Sequence, residues 1–311
     1  MKQQLLYLAG MATVAAVPLA HQSSATYFFT LYGDLVNCGD SYTMTSFNVS
    51  GTQPSPSNPM GNPTLGTGTT GGGVNWVGDL TTEDNRSLVL SYNLAVGGAT
   101  IDNRIINATV EDMTTQVASF HSIYGRKPHA VPWKADNAVF GFWIGINDIG
   151  WAYATYDASV LVPKLMTQYE SLLEQIYADG GRKFLFLNAP PTSRSPFILA
   201  AGAQASEAHA EWVTAYNDGL YTMVKQFKRK HGDVETVLYD AWSFMTHVLD
   251  NPKEYGYPNS TCIHDDGTSC IWWNNYHPGS KYHRLQAANM KPYLKRFGAC
   301  ETEPLLNAFG K

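Results

Sequence analysis

Charge is scarce in this chain. Charged side chains make up 15% of its 311 residues, 21 Lys and Arg against 26 Asp and Glu, and no block of like charge stands out. With a formal net charge of -5 there is no basic footprint for nucleic acid and no charged interaction tail. Beyond the N-terminal stretch, no apolar run approaches the length of a membrane-spanning helix, so no membrane partner is expected. Phosphate-binding P-loop, Gly-x-Ser-x-Gly elbow and His-Glu-x-x-His helix are all missing, and the nine histidines show no zinc-like spacing, so no metal site is expected. One segment, Gly66-Thr67-Gly68-Thr69-Thr70-Gly71, matches the dinucleotide-loop pattern letter for letter. Such a loop needs a strand before it and a helix after it, whereas here Pro-rich coil precedes and more glycine follows. It reads as a flexible surface loop within the Pro-, Gly-, Thr- and Ser-rich stretch 51–73, and no cofactor is expected.

What is present is enough apolar material for a core, 44% of residues, which excludes a disordered chain. The first residues read as a secretory signal: Lys2, an apolar run over 5–17, and small residues at Ala15, Ala16 and Ala20. The expected layout is a signal peptide over 1–20, one domain over 26–298 and a C-terminal tail over 299–311. Four Asn-x-Ser/Thr sites, Asn48, Asn85, Asn107 and Asn259, agree with export and glycosylation. The four cysteines fit an oxidising compartment. Cys262 and Cys270 close a short loop and are the favoured disulfide, while Cys38 and Cys300 either pair or stay free.

Five short apolar or β-branched runs, at 27–31, 88–94, 138–145, 183–188 and 236–240, alternate with helical patterns at 104–124, 159–179, 206–231 and 279–297. In the second helix Val160, Leu161, Leu165, Tyr169, Leu172, Leu173 and Ile176 recur at helical spacing. Strands alternating with helices predict a three-layer α/β/α sandwich around a parallel sheet, whose site forms at the carboxyl ends of the strands.

Four segments follow predicted strands or close the chain: Gly39-Asp40-Ser41-Tyr42-Thr43, Asn93 to Ala99 with Gly97-Gly98, Gly145-Ile146-Asn147-Asp148, and Trp272-Trp273-Asn274-Asn275-Tyr276-His277-Pro278-Gly279. Each alone has a plain reading as an N-cap, a tight turn, an Asx-turn or a structural histidine. In this order they resemble the four blocks of the GDSL/SGNH hydrolase family, most closely the fungal secreted acetylesterases of carbohydrate esterase family 16. The resemblance implies a flavodoxin-like sandwich with five parallel strands. It also implies Ser41 as nucleophile, His277 as general base, and an oxyanion hole made by the N–H groups of Ser41 and Gly97 and the Asn147 amide. A serine hydroxyl needs a base to take its proton, and acyl transfer needs donors where the carbonyl oxygen becomes negative.

Two departures accompany the resemblance. Asn274 stands where most of the family has Asp, so either the site runs as a Ser–His dyad with Asn274 or a backbone carbonyl orienting His277, or another acid such as Asp148, Asp265 or Asp266 supplies the charge. Residues 32–38 are extra between Leu31 and Gly39, and two registers of the first strand compete, one ending at Leu31 and one using Leu35 to Cys38. Trp76 and Trp272 are the candidate aromatics for stacking on sugar. The expected function is hydrolysis of short acyl, above all acetyl, esters on an oligo- or polysaccharide. The alternatives are a lipase or phospholipase of the same family, and an inactive carbohydrate-binding protein.

Overall fold

The computed structural model describes residues 26–31, 42–83 and 87–297, and for 26–31 the backbone alone. Five strands form one parallel sheet: β1 (Thr26–Leu31), β2 (Val89–Asn93), β3 (Ala138–Phe142), β4 (Lys183–Leu187) and β5 (Glu235–Tyr239). Their order is β2-β1-β3-β4-β5, and all four pairings are parallel. This is the doubly wound flavodoxin-like arrangement, in which crossovers leave β1 and β3 in opposite directions and open a crevice at their carboxyl ends. Strands β2 and β3 are buried along their whole length, as a sheet covered on both faces requires. In β1 the register that ends at Leu31 is adopted, with Leu31 beside Phe142 of β3. Residues 32–38 and the competing Leu35 to Cys38 run lie outside the described residues, as do the expected signal peptide over 1–20, Cys38, Ser41, Asn85, Cys300 and the expected tail over 299–311.

Eight α-helices complete the described layers: α1 (Trp76–Thr82), α2 (Met113–Phe120), α3 (Ile146–Ala152), α4 (Ala158–Ala178), α5 (Pro196–Ala200), α6 (Ala203–Lys230), α7 (Ala241–Asp250) and α8 (Ser280–Leu294). Helices α1 and α8 pack together on one face, and α2, α4 and α6 follow one another on the other. Helix α4 starts where the Asp157 carboxylate accepts from Ser159 N at 2.8 Å. Its buried residues are Leu161, Val162, Leu165, Met166, Tyr169, Leu172, Leu173 and Ile176, whereas Val160 turns outward at 55% exposure. No described helix is long and apolar enough to cross a membrane.

Two regions differ from the sequence expectation. The pattern over 104–124 yields a helix only from Met113, extended by a π-helical turn over His121–Gly125. The cause is local polar competition. The Asp112 carboxylate accepts from Thr115 N and Asn103 N, both at 2.9 Å, so it caps the helix start while holding the preceding loop away from helical geometry. The second is the end of the glycine-rich stretch: 51–73 is a surface loop as expected, but its last glycines are held against the histidine block. Gly71 O accepts from Ser280 N at 2.7 Å, and a Cβ on Gly72 would lie 2.7 Å from the Trp273 ring. Those glycines let one backbone lie against another.

Candidate active site

At the carboxyl end of β2, Asn93 acts as a junction. Its Nδ2 donates to Thr43 O at 2.6 Å and Thr45 Oγ1 at 3.1 Å, and its Oδ1 accepts from Ala95 N at 3.1 Å. The segment that follows Ser41 is thereby tied to the segment that leads into Gly97. Sequence reasoning missed Asn93; the signal was there, a polar residue inside the apolar run 88–94.

The end of β3 supplies the next group. Gly145 sits at φ 112°, where only glycine is at ease, and a Cβ there would lie 2.0 Å from the Tyr216 ring. The sharp turn starts α3 with Asn147 and Asp148 in its first turn, both buried. Asn147 Nδ2 donates to Ala99 O at 3.1 Å, and Asp148 Oδ1 accepts from Ile101 N at 3.1 Å. Two adjacent side chains thus grip the loop that carries Gly97, which is half-buried, and Gly98, whose φ is 96°. An amide nitrogen carries two hydrogens, so Asn147 can hold Ala99 and still donate a second bond. Burial pushes the Asp148 carboxyl up to about 7.

The fourth block is a small knot of its own. Trp272 bridges to both Ile263 and Pro278, and Trp273 N donates to His277 O at 2.8 Å. Cys262 and Cys270 are joined as expected, with Cα atoms 5.2 Å apart, and Cys262 O accepts from Trp272 N at 3.3 Å. Within the knot Asn274 Oδ1 accepts from Tyr276 N at 2.8 Å, from His277 N at 2.7 Å, and faces His277 Nδ1 at 3.0 Å. Two backbone donors on one amide atom identify it as the oxygen. An oxygen can only accept, so Nδ1 must carry the ring proton, and Nε2 is the basic nitrogen.

His277 is buried, and burial pulls its imidazole down to about 3. His283, on α8, is buried as well and likewise held near 3, first by burial and then by the charge of His277. Tyr42 is wholly buried between these groups, its ring centroid 5.8 Å from that of His277 and 5.3 Å from that of Trp143. Its hydroxyl donates to Tyr276 O at 2.7 Å. The residue next to Ser41 in the chain is therefore bonded directly to the histidine block.

The other acids considered for His277 are engaged elsewhere. Asp266 accepts from Thr268 N and Ser269 N, both at 2.8 Å, Asp265 extends into solvent at 93% side-chain exposure, and Asp148 holds Ile101. The two candidate sugar-stacking tryptophans are corrected by their burial. Trp76 and Trp272 are both at 0% exposure, and their ring N–H groups are spent on Thr43 Oγ1 at 3.1 Å and Ser260 O at 2.8 Å. Large aromatics with a satisfied N–H are core material, and these two offer no face to a ligand. It is Trp273, the other half of the Trp-Trp pair, that remains partly exposed. Of the glycosylation candidates, Asn48, Asn107 and Asn259 are exposed.

Comparison with known proteins adds four findings. The family model described as GDSL-like Lipase/Acylhydrolase matches residues 35–290. The chain is 43% identical over 259 residues to a protein named acetylesterase from Thermothelomyces thermophilus, covering 81% of this chain and 85% of that one. It is 24% identical over 301 residues to an acetylesterase of Hypocrea jecorina, covering 79% and 84%. Among solved structures, an acetylxylan esterase from Geobacillus stearothermophilus superposes with a TM-score of 0.46 at 12% identity, covering 89% of this chain and 97% of that one.

Proposed function

The chain belongs to the GDSL-like lipase/acylhydrolase family and is a carboxylic ester hydrolase, and we propose that it removes acetyl groups from carbohydrate hydroxyls through an acyl-Ser41 intermediate. The observation that carries the mechanism is the Asn274–His277 pair. With Nδ1–H directed at Asn274 Oδ1, Nε2 is the atom that takes the Ser41 proton as Oγ attacks the acetyl carbonyl. Negative charge then builds on the former carbonyl oxygen, toward the N–H groups of Ser41 and Gly97 and the second hydrogen of Asn147 Nδ2. Collapse of the intermediate expels the sugar oxygen, which receives the proton back from His277. Water repeats the sequence on the acyl-enzyme.

Asn274 supplies orientation without charge. The imidazolium that forms in each half-reaction is stabilised by an amide dipole rather than a carboxylate, in a buried setting that already disfavours charge. The acetyl preference is supported by the similarity to two acetylesterases. Export is supported by Lys2 and the apolar run that follows it, by the Cys262–Cys270 bridge and by the exposure of Asn48, Asn107 and Asn259.

The test is acetate release from acetylated xylo- and manno-oligosaccharides, with p-nitrophenyl acetate as the small reference ester. The parent should release acetate, and Ser41→Ala and His277→Ala should each abolish release while circular dichroism stays unchanged. Activity within a few-fold of the parent in either variant would remove that residue from its role.

A further inference from the structure

Of the eight tryptophans, six spend the indole N–H inside the protein, on Thr43, Tyr124, Asn188, Tyr156, Ser260 and Asp265. The other two, Trp151 and Trp242, do not, and of these Trp242, in the first turn of α7, lines a concavity. It is 40% exposed, and neither its N–H nor its ring face has a partner among the described residues. It stands between two adjoining depressions that both use Trp242 and Thr214 as walls, one of about 700 Å³ and one of about 260 Å³. Together they form a groove of the size that ligand sites have. Exposing a large aromatic in a concavity costs apolar burial that the core could have had, and such faces bind flat, partly apolar surfaces.

The groove opens at the carboxyl ends of β4 and β5, the same end of the sheet as His277. A short chain of contacts links the two. Trp242 N donates to Asn188 Oδ1 at 2.9 Å, Asn188 O accepts from Trp143 Nε1 at 3.0 Å, and Trp143 packs on Tyr42, which packs on His277. On the other flank Phe197 N, on α5, donates to Asn275 O at 2.8 Å, while Leu199 of the same helix lines the groove. Beside Trp242 lie the carboxylates of Glu207 and Asp218, both exposed and without a hydrogen-bond or ion-pair partner among the described residues. These are acceptors suited to the hydroxyls of a neutral sugar, and they repel an anionic one.

We propose that the Trp242 groove is a distal subsite that holds the main chain of a neutral oligosaccharide while one of its acetyl groups lies at His277. The proposal rests on the carbohydrate reading above for its substrate class. The face of a sugar ring stacks on the Trp242 indole, and Glu207 and Asp218 accept from its hydroxyls. Small esters reach His277 without touching the groove.

The experiment compares the parent with Trp242→Ala and Trp242→Tyr. On acetylated xylohexaose, Trp242→Ala should lose about tenfold in kcat/KM, the equivalent of ~1.4 kcal/mol, through KM, with partial recovery in Trp242→Tyr. On p-nitrophenyl acetate all three should agree within about twofold, a difference of ~0.4 kcal/mol. In parallel, unacetylated xylohexaose should quench the tryptophan fluorescence of the parent and not of Trp242→Ala, and an oligogalacturonate should leave both unchanged. If the parent hydrolyses p-nitrophenyl acetate but releases no acetate from oligosaccharides, the carbohydrate reading falls, and the quenching titration still decides the groove. Equal quenching of parent and Trp242→Ala, or an equal loss on the small ester, overturns the subsite.

Discussion

At the scale of single residues, Asn274 carries the most information. An amide in place of the usual carboxylate keeps three donors in register but adds no charge, so its two functions can be separated by substitution. Asn274→Asp should keep or raise kcat on p-nitrophenyl acetate and move the acid limb of the pH profile upward, because a carboxylate favours the protonated imidazole of His277. Asn274→Leu removes the acceptor, and loss of a hydrogen bond of ~1.5 kcal/mol predicts a fall in kcat of about tenfold. A Leu variant as active as the parent would mean that something else orients the ring. Much of this was legible beforehand. His277, Asn147 and Gly97 stand out in their blocks by residue type alone, and in the structure Asn147 holds the Gly97 loop through Ala99. Burial was what the letters hid. Trp272 and Trp273 are adjacent and chemically identical, yet one lies in a core and the other at its edge, and no spacing rule separates them.

At the scale of elements, the five strands were readable because each is a short, nearly unbroken apolar run. Helices α1, α3, α5 and α7 were not. Each is ten residues or shorter, too short for a periodic pattern, and Asp240, at the start of α7, reads as the end of the strand run 236–240. Asn75 and Asp240 are in fact N-caps, their carbonyl and carboxylate oxygens accepting from Gly78 N at 3.3 Å and Ser243 N at 3.0 Å. The Asx-turn expected at Asn147-Asp148 is the first turn of α3. The knot around His277 depends on covalent closure as well as on hydrogen bonds. Cys270→Ser should lower the unfolding free energy by about 2–3 kcal/mol in urea titration, the amount that closing a loop this short takes from the unfolded chain. An unchanged midpoint would show that the knot holds without the bridge.

For the molecule as a whole, three buried histidines set the response to acid. His277 and His283 are held near 3, and His209 is pulled down to about 4 by burial in α6, with neither of its ring nitrogens bonded among the described residues. Each has a folded value below the ordinary 6.5, so the unfolded chain binds protons more readily than the native one. The stability these histidines lend is therefore complete above pH ~6.5 and declines as pH falls toward the folded values, each contributing up to about 1.4 kcal/mol per pH unit, while Asp148, raised to about 7, opposes one of them over part of that range. His209→Leu removes one contributor away from the catalytic groups. Its melting temperature should match or exceed the parent's at pH 7 and fall less steeply between pH 6.5 and 4.5. Parallel curves for the two proteins would show that His209 does not titrate in this way.

The hydrophobic interior is divided, and the division falls next to His277. Most buried side chains belong to one cluster around the sheet, but Met245, Val248, Leu249, Tyr257, Ile271, Trp272 and Tyr282 form a second, beneath the histidine knot. Satellite cores of this kind sit under long loops and open at lower free energy than the main one. His277 stands on the seam between the two clusters, with Tyr276 beside it in the main one and Trp272 of the same block in the second. Heating that loosens the second cluster first should silence hydrolysis of p-nitrophenyl acetate at a lower temperature than the sheet's circular-dichroism signal is lost, and coincident curves would show that the two clusters open together.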